Sequence, residues 1–176
     1  PHKEDDTIMC INEYSRHKYA AEAFALTSKN SLVVRTSIVG SRARGDKSLV
    51  EWAIHMLNEN QSMALFHDAW TSSLDVNTFA DIAVNLFLDI KYRGIINVAA
   101  GEVYSKEQLI RRLADMLSLN QGNCTSESVN RRYSNRPSCL GLDVSHAERL
   151  LGKKMPELDE VCAALISQLN LKKVVD

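Results

Sequence analysis

The sequence predicts an α/β fold on three observations. The run 31–39 is rich in β-branched residues and stops at Gly40, which is the composition of a strand. Over 78–90, Phe79, Ile82, Ala83, Leu86, Phe87 and Ile90 recur at the i, i+3, i+4, i+7 spacing of one helix face. Gly94 ends that helix, and Ile95-Ile96-Asn97-Val98 reads as a short buried strand. Strand and helix signals alternate in this way along the chain, which implies strands covered by helices.

The remaining elements follow in order. Residues 12–29 read as a helix, favoured by Ala20, Ala21, Ala23 and Ala25. A second helix is expected over 46–58, with Leu49, Val50, Ala53, Ile54 and Leu57 turned inward. Met63-Ala64-Leu65-Phe66 is a short strand. Ser105-Lys106-Glu107-Gln108 has the form of a capping box, and the helix it starts is expected to bury Leu109, Leu113 and Leu117. Residues 120–137 are polar and read as a loop. Residues 143–151 form a short helix closed by Gly152. After Pro156 a last helix carries Leu158, Val161, Cys162, Leu165, Ile166 and Leu169 on one face.

Composition narrows the function. The 176 residues amount to a single domain, and 45% hydrophobic content with a net charge of −1 excludes a disordered chain. The same balance gives no pull toward nucleic acid or anionic lipid. No apolar run approaches the roughly 20 residues of a membrane span, and no secretory signal opens the chain, so a cytoplasmic location is expected. The cysteines Cys10, Cys124, Cys139 and Cys162 form no CxxC pair, and the histidines form no HExxH, so neither a disulfide framework nor a metal site is expected. The glycines build no GxGxxG and no GxxxxGK[ST]. The turn that brings a pyrophosphate to a helix N-terminus is therefore not in this sequence.

Tyr14-Ser15-Arg16-His17-Lys18 sets a tyrosine and a lysine four apart on the first helix, hence on one face. An ammonium beside a phenol favours the phenolate. Such a tyrosine can pass a proton to or from a carbonyl or carbinol oxygen during hydride transfer. The alternative is a solvated tyrosine beside a surface lysine. Arg16 and His17 face elsewhere and receive no catalytic role.

In order along the chain, Tyr14-x-x-x-Lys18 running into Ala20-Ala21-Glu22, then Leu32-Val33-Val34-Arg35-Thr36-Ser37, resembles the extended short-chain dehydrogenase/reductase superfamily, and within it the dTDP-4-dehydrorhamnose reductase type. Asp68-Ala69-Trp70-Thr71-Ser72-Ser73-Leu74, Ala80-Asp81-Ile82-Ala83, Gly94-Ile95-Ile96-Asn97-Val98-Ala99 and Ser105-Lys106-Glu107 continue the likeness. Arg136-Pro137 to Leu142-Asp143-Val144-Ser145, ahead of Leu150-Leu151-Gly152, completes it, so that it spans about residues 1–168. The resemblance implies the C-terminal part of a Rossmann-type enzyme together with its small substrate-binding region, as one α/β unit over 1–176. The family's glycine-bearing N-terminal half is not in this sequence, and the opening at Pro1, without a Met, reads as a loop of a longer protein.

By that resemblance Tyr14 donates the proton to the sugar carbonyl, and Lys18 holds the nicotinamide ribose and makes the tyrosine more acidic. Arg35, Thr36 and Ser37 border the cofactor, NADP or NAD. Ile38, Trp70 and Arg136 meet a nucleotide-sugar substrate. Arg131, Arg132 and Arg136 either grip its diphosphate or form a solvated loop. The alternatives are an ion pair between Arg35 and a helix carboxylate, and a Trp70 that packs rather than platforms a sugar. Ile38 stands where this reductase type often has an aromatic residue, and Asp68-Ala69-Trp70 departs from the usual loop. A nucleotide-sugar epimerase or dehydratase, or a non-catalytic regulatory subunit of the same superfamily, are the alternatives. A further one is an inactive module that pairs through its strand edges, as a homodimer or with an N-terminal half. These 176 residues are expected to be inactive alone and to bind no cofactor appreciably.

Overall fold

The computed structural model describes residues 1–42, 45–132, 137 and 139–175. The first half runs α1 (Glu13–Ala25), β1 (Leu32–Arg35), β2 (Ile38–Val39), α2 (Leu49–Asn58), β3 (Met63–Phe66), β4 (Trp70–Thr71), β5 (Leu74–Asp75) and α3 (Val76–Val84). The second runs β6 (Gly94–Asn97), β7 (Tyr104–Ser105), α4 (Lys106–Met116), β8 (Cys124–Glu127), α5 (Val129–Arg132), β9 (Cys139–Leu140), α6 (Ser145–Leu151) and α7 (Leu158–Val175). The α/β alternation expected from the sequence is present, and three of the four strand groupings are parallel pairs.

The strand expected over 31–39 is broken. β1 pairs in parallel with β6, from Leu32 opposite Gly94 to Arg35 opposite Asn97. β2 pairs in parallel with β5 instead. The Val98 N–H donates to the Arg35 carbonyl at 2.9 Å, while the Leu74 N–H donates to the Ser37 carbonyl at 2.9 Å. The chain therefore changes partner between Arg35 and Ser37. Thr36 and Ser37 belong to neither strand, because each ladder bond there is directed to a different neighbour. Ligands of open α/β sheets settle beyond the carboxyl ends of strands at such partings.

Side-chain caps fix where the helices begin. At α2, Ser48 accepts from the Glu51 N–H and Glu51 accepts from the Ser48 N–H, so the helix starts at Leu49 rather than at 46. The box at Ser105 and Gln108 forms as the sequence implies. Gly152 closes α6 at φ 65°, a left-handed position that suits glycine.

Two apolar clusters fill the interior. The larger gathers Leu74, Leu86, Ile96, Leu113 and Leu165, and the smaller gathers Ala53, Leu57, Met63, Leu65, Ile110 and Ala114. α2 and α4 join them: Val50 and Leu109 point into the first, Ala53 and Ile110 into the second. Leu117 follows the end of α4 as its cap and is only half-buried.

Two further expectations are corrected. Residues 120–137 hold β8 and α5 rather than loop alone. β8 pairs in parallel with β3 through its backbone, and its Cys-Thr-Ser-Glu side chains are half-buried or exposed, so no apolar alternation marks it. The helix expected over 78–90 passes from α3 into a π-helical turn over Asn85–Asp89, where the Ile90 N–H reaches back to the Asn85 carbonyl at 3.0 Å. The wider turn rotates the face. Leu86 stays fully buried, while Phe87, expected inward, is 44% exposed. Among the described residues no helix is long and apolar enough to cross a membrane.

Candidate active site

Tyr14 and Lys18 lie on the first two turns of α1. Asn12 caps this helix: its side-chain oxygen accepts from the Ser15 N–H at 2.9 Å, and the Ser15 hydroxyl accepts from the Asn12 N–H at 3.1 Å. Tyr14 and Lys18 stack as the spacing implies, with the Lys18 ammonium 5.8 Å from the centre of the Tyr14 ring. Both side chains are exposed. Arg16 and His17 turn back to Glu13, at 2.7 and 3.2 Å.

Arg35 takes the alternative that the sequence leaves open. Its guanidinium donates two bonds to the Glu22 carboxylate, from Nε at 2.9 Å and from Nη2 at 2.6 Å, and a third from Nη1 to the Glu4 carbonyl at 2.9 Å. The hydrogen bonds to Glu22 raise the Arg35 pKa above its ordinary value. These contacts commit the guanidinium to holding α1 against β1. Thr36 differs: its hydroxyl is buried and has no hydrogen-bond partner in the protein.

Beyond the parting of β1 and β2 lies a cavity of about 500 Å³, large enough for a small organic ligand. Ser37, Ile38 and Trp70, three of the residues singled out from the sequence, line it together. Ile38 and Trp70 are 43% and 38% exposed, so each offers an open apolar face. Tyr14 and Lys18 are not among its lining residues.

Thr71 and Ser73 also line the cavity, and sequence reasoning did not single them out. With Ser37 they form a ring of hydroxyls. Ser37 Oγ lies 2.8 Å from Ser73 Oγ, Thr71 Oγ1 lies 2.8 Å from Ser73 Oγ, and Thr71 donates to Ser37 at 3.2 Å. The contact spans 34 to 36 residues of sequence, so no local pattern announces it.

Asp68 organises the edge of the arginine-rich stretch. Its carboxylate accepts from the Ser128 hydroxyl at 2.5 Å and from the Val129 N–H at 2.7 Å, at the start of α5. The Ser128 bond, then the Val129 bond, hold its pKa below the ordinary carboxylate value. Val129 lines the cavity, and Arg131 is exposed beyond it. Arg136 lies outside the described residues. Among the described residues no group of three His, Cys, Asp or Glu side chains gathers as a metal site.

The sequence matches the family described as RmlD substrate binding domain over residues 1–171. The chain belongs to this family. Solved structures agree with the RmlD-type assignment. A hypothetical dTDP-4-dehydrorhamnose reductase from Sulfolobus tokodaii superposes with a TM-score of 0.75 at 26% identity, covering 90% of this chain and 56% of that one. The dTDP-4-dehydrorhamnose reductase of Bacillus anthracis, solved with NADP, gives 0.79 at 21% identity, covering 93% and 58%. The protein MoeE5, solved with UDP-glucuronic acid and NAD, gives 0.75 at 18% identity, covering 97% and 60%. This RmlD-family chain thus spans under two thirds of the length of each of these relatives. No curated protein sequence matches it significantly.

Proposed function

We propose that the chain is the substrate-binding, C-terminal portion of an NAD(P)-dependent nucleotide-sugar reductase of the dTDP-4-dehydrorhamnose reductase type. The observation that carries this reading is the Tyr14–Lys18 stack on a capped helix, within a family match over 1–171. The chain acts as one α/β unit beside an N-terminal half that brings the pyrophosphate turn.

Tyr14 Oη gives its proton to the sugar carbonyl oxygen as that oxygen becomes a hydroxyl. Lys18 stabilises the phenolate left behind and holds the nicotinamide ribose. The nicotinamide, when bound, supplies the hydride. The buried, unpartnered Thr36 hydroxyl at the end of β1 fits a polar edge of that cofactor, since a buried hydroxyl without a partner is costly. We assign the sugar to the cavity bounded by Ser37, Ile38 and Trp70, and its diphosphate to Arg131, Arg132 and Arg136 by their charge.

The test is NAD(P)H oxidation by the full-length protein with dTDP-linked 4-keto sugars. Tyr14→Phe is expected to lower kcat by about 100-fold or more. Unchanged turnover in that variant removes Tyr14 as the proton donor. No oxidation with any such sugar removes the reductase reading itself.

A further inference from the structure

The hydroxyl ring of Ser37, Thr71 and Ser73 has a definite hydrogen-bonding character. Each hydroxyl brings one donor and two acceptor positions. Thr71 donates to Ser37, so closing the ring has Ser37 donate to Ser73 and Ser73 donate to Thr71. All three protons are then used inside the ring. One acceptor position remains on each oxygen, so the ring offers the cavity acceptors and no donor.

The ring is also held in place before any ligand arrives. Thr71 and Ser73 are almost fully buried, and the buried Tyr104 hydroxyl donates to the Ser73 carbonyl. The Ser72 carbonyl accepts from the Ala100 N–H at 2.8 Å, and its hydroxyl accepts from the Leu142 N–H at 2.9 Å. The segment 72–73 is therefore tied to three other parts of the chain.

We propose that this ring is a recognition site for the hydroxyl groups of the sugar. The inference rests on reading the cavity as the sugar pocket. A sugar hydroxyl entering as a donor meets unused acceptors. A carbonyl oxygen, itself only an acceptor, is met only if one of the ring's own bonds opens. The ring thus favours hydroxyl-bearing positions of the pyranose over the keto group.

The experiment is calorimetric titration of the full-length protein with dTDP and with dTDP-rhamnose. Thr71→Val keeps the side-chain shape and leaves the Ser37–Ser73 bond intact. It is expected to weaken dTDP-rhamnose binding about tenfold and to leave dTDP binding unchanged. Thr71→Ser, which restores the hydroxyl, is expected to recover the affinity. Ser73→Ala provides a second removal should Thr71→Val fail to fold, with the same expected selectivity for the sugar-bearing ligand. Equal dTDP-rhamnose affinity in wild type and the hydroxyl-less variants overturns the ring's role alone, and so does an equal loss for both ligands. Failure of the wild type to bind either ligand overturns the nucleotide-sugar reading, and the ring's role with it.

Discussion

Arg35 and Glu22 clasp β1 to α1 through two parallel hydrogen bonds, in a pair whose side chains are only 20% and 12% exposed. Among the described residues α1 buries none of its own. The clasp therefore carries much of the attachment of the helix that bears Tyr14 and Lys18. Glu22→Gln leaves a part-buried guanidinium without its counter-charge and is expected to cost roughly 2 kcal/mol, less than a fully buried pair would. Urea unfolding measures that loss. Hydrogen exchange should show the amides of 13–25 opening faster, and unchanged exchange there would count against the clasp.

The π-helical turn makes a sharp distinction between two adjacent residues. Leu86 is fully buried, so Leu86→Ala is expected to cost about 2–5 kcal/mol. Phe87 stands 44% exposed with the Arg93 guanidinium 4.9 Å from its ring centre. Phe87→Ala is expected to cost under about 1 kcal/mol. An uninterrupted α-helix with both residues inward predicts comparable losses, so the two denaturation curves separate the arrangements.

That contrast shows what the sequence made legible. Caps were readable, as at Ser105 and Gln108, because their chemistry is confined to four successive residues. β6, expected over 95–98 and formed over Gly94–Asn97, and the α7 face were readable because apolar patterning states them directly. Phe87 was not, since one extra residue in a turn leaves no trace in composition. β8 was not, since a strand held by its backbone needs no apolar pattern. The same divide runs through the site. The stacking of Tyr14 and Lys18 was legible from a spacing of four, whereas Thr71 and Ser73 meet Ser37 only through the tertiary fold.

Asp68 gives a pH-dependent signal. Its carboxylate is held by the Ser128 hydroxyl and the Val129 N–H, which lowers its pKa below the ordinary 3.8. A depressed folded-state pKa means that the stabilisation is complete above the unfolded value and is lost as pH falls through the lower, folded one. The Val129 amide resonance of the protein should therefore move with a midpoint below 3.8. Asp68→Asn is expected to abolish that acid step and to shift the same resonance already at neutral pH. A midpoint at or above the ordinary carboxylate value would refute the latch.

Gly101 is placed by close approach rather than by unusual torsion. A Cβ there would stand 2.8 Å from the Met155 carbonyl oxygen, which belongs to backbone. The Gly101 N–H also donates to the Pro156 carbonyl at 2.9 Å, so the two segments have little freedom to separate. Gly101→Ala is expected to destabilise by about 1–3 kcal/mol in thermal denaturation. An unaltered melting curve would show that the 155–156 segment can shift.

The reciprocal cap at Asn12 and Ser15 has a consequence for how this protein can change. The distance between the phenol and the ammonium is set within one stretch of seven residues, from Asn12 to Lys18, by bonds that the stretch makes to itself. Where that stretch sits depends largely on the charged clasp of Glu22 with Arg35, farther along the same helix. Repacking the interior can therefore move the Tyr14–Lys18 pair as a unit without altering its internal spacing. Position and spacing are governed by separate parts of the chain.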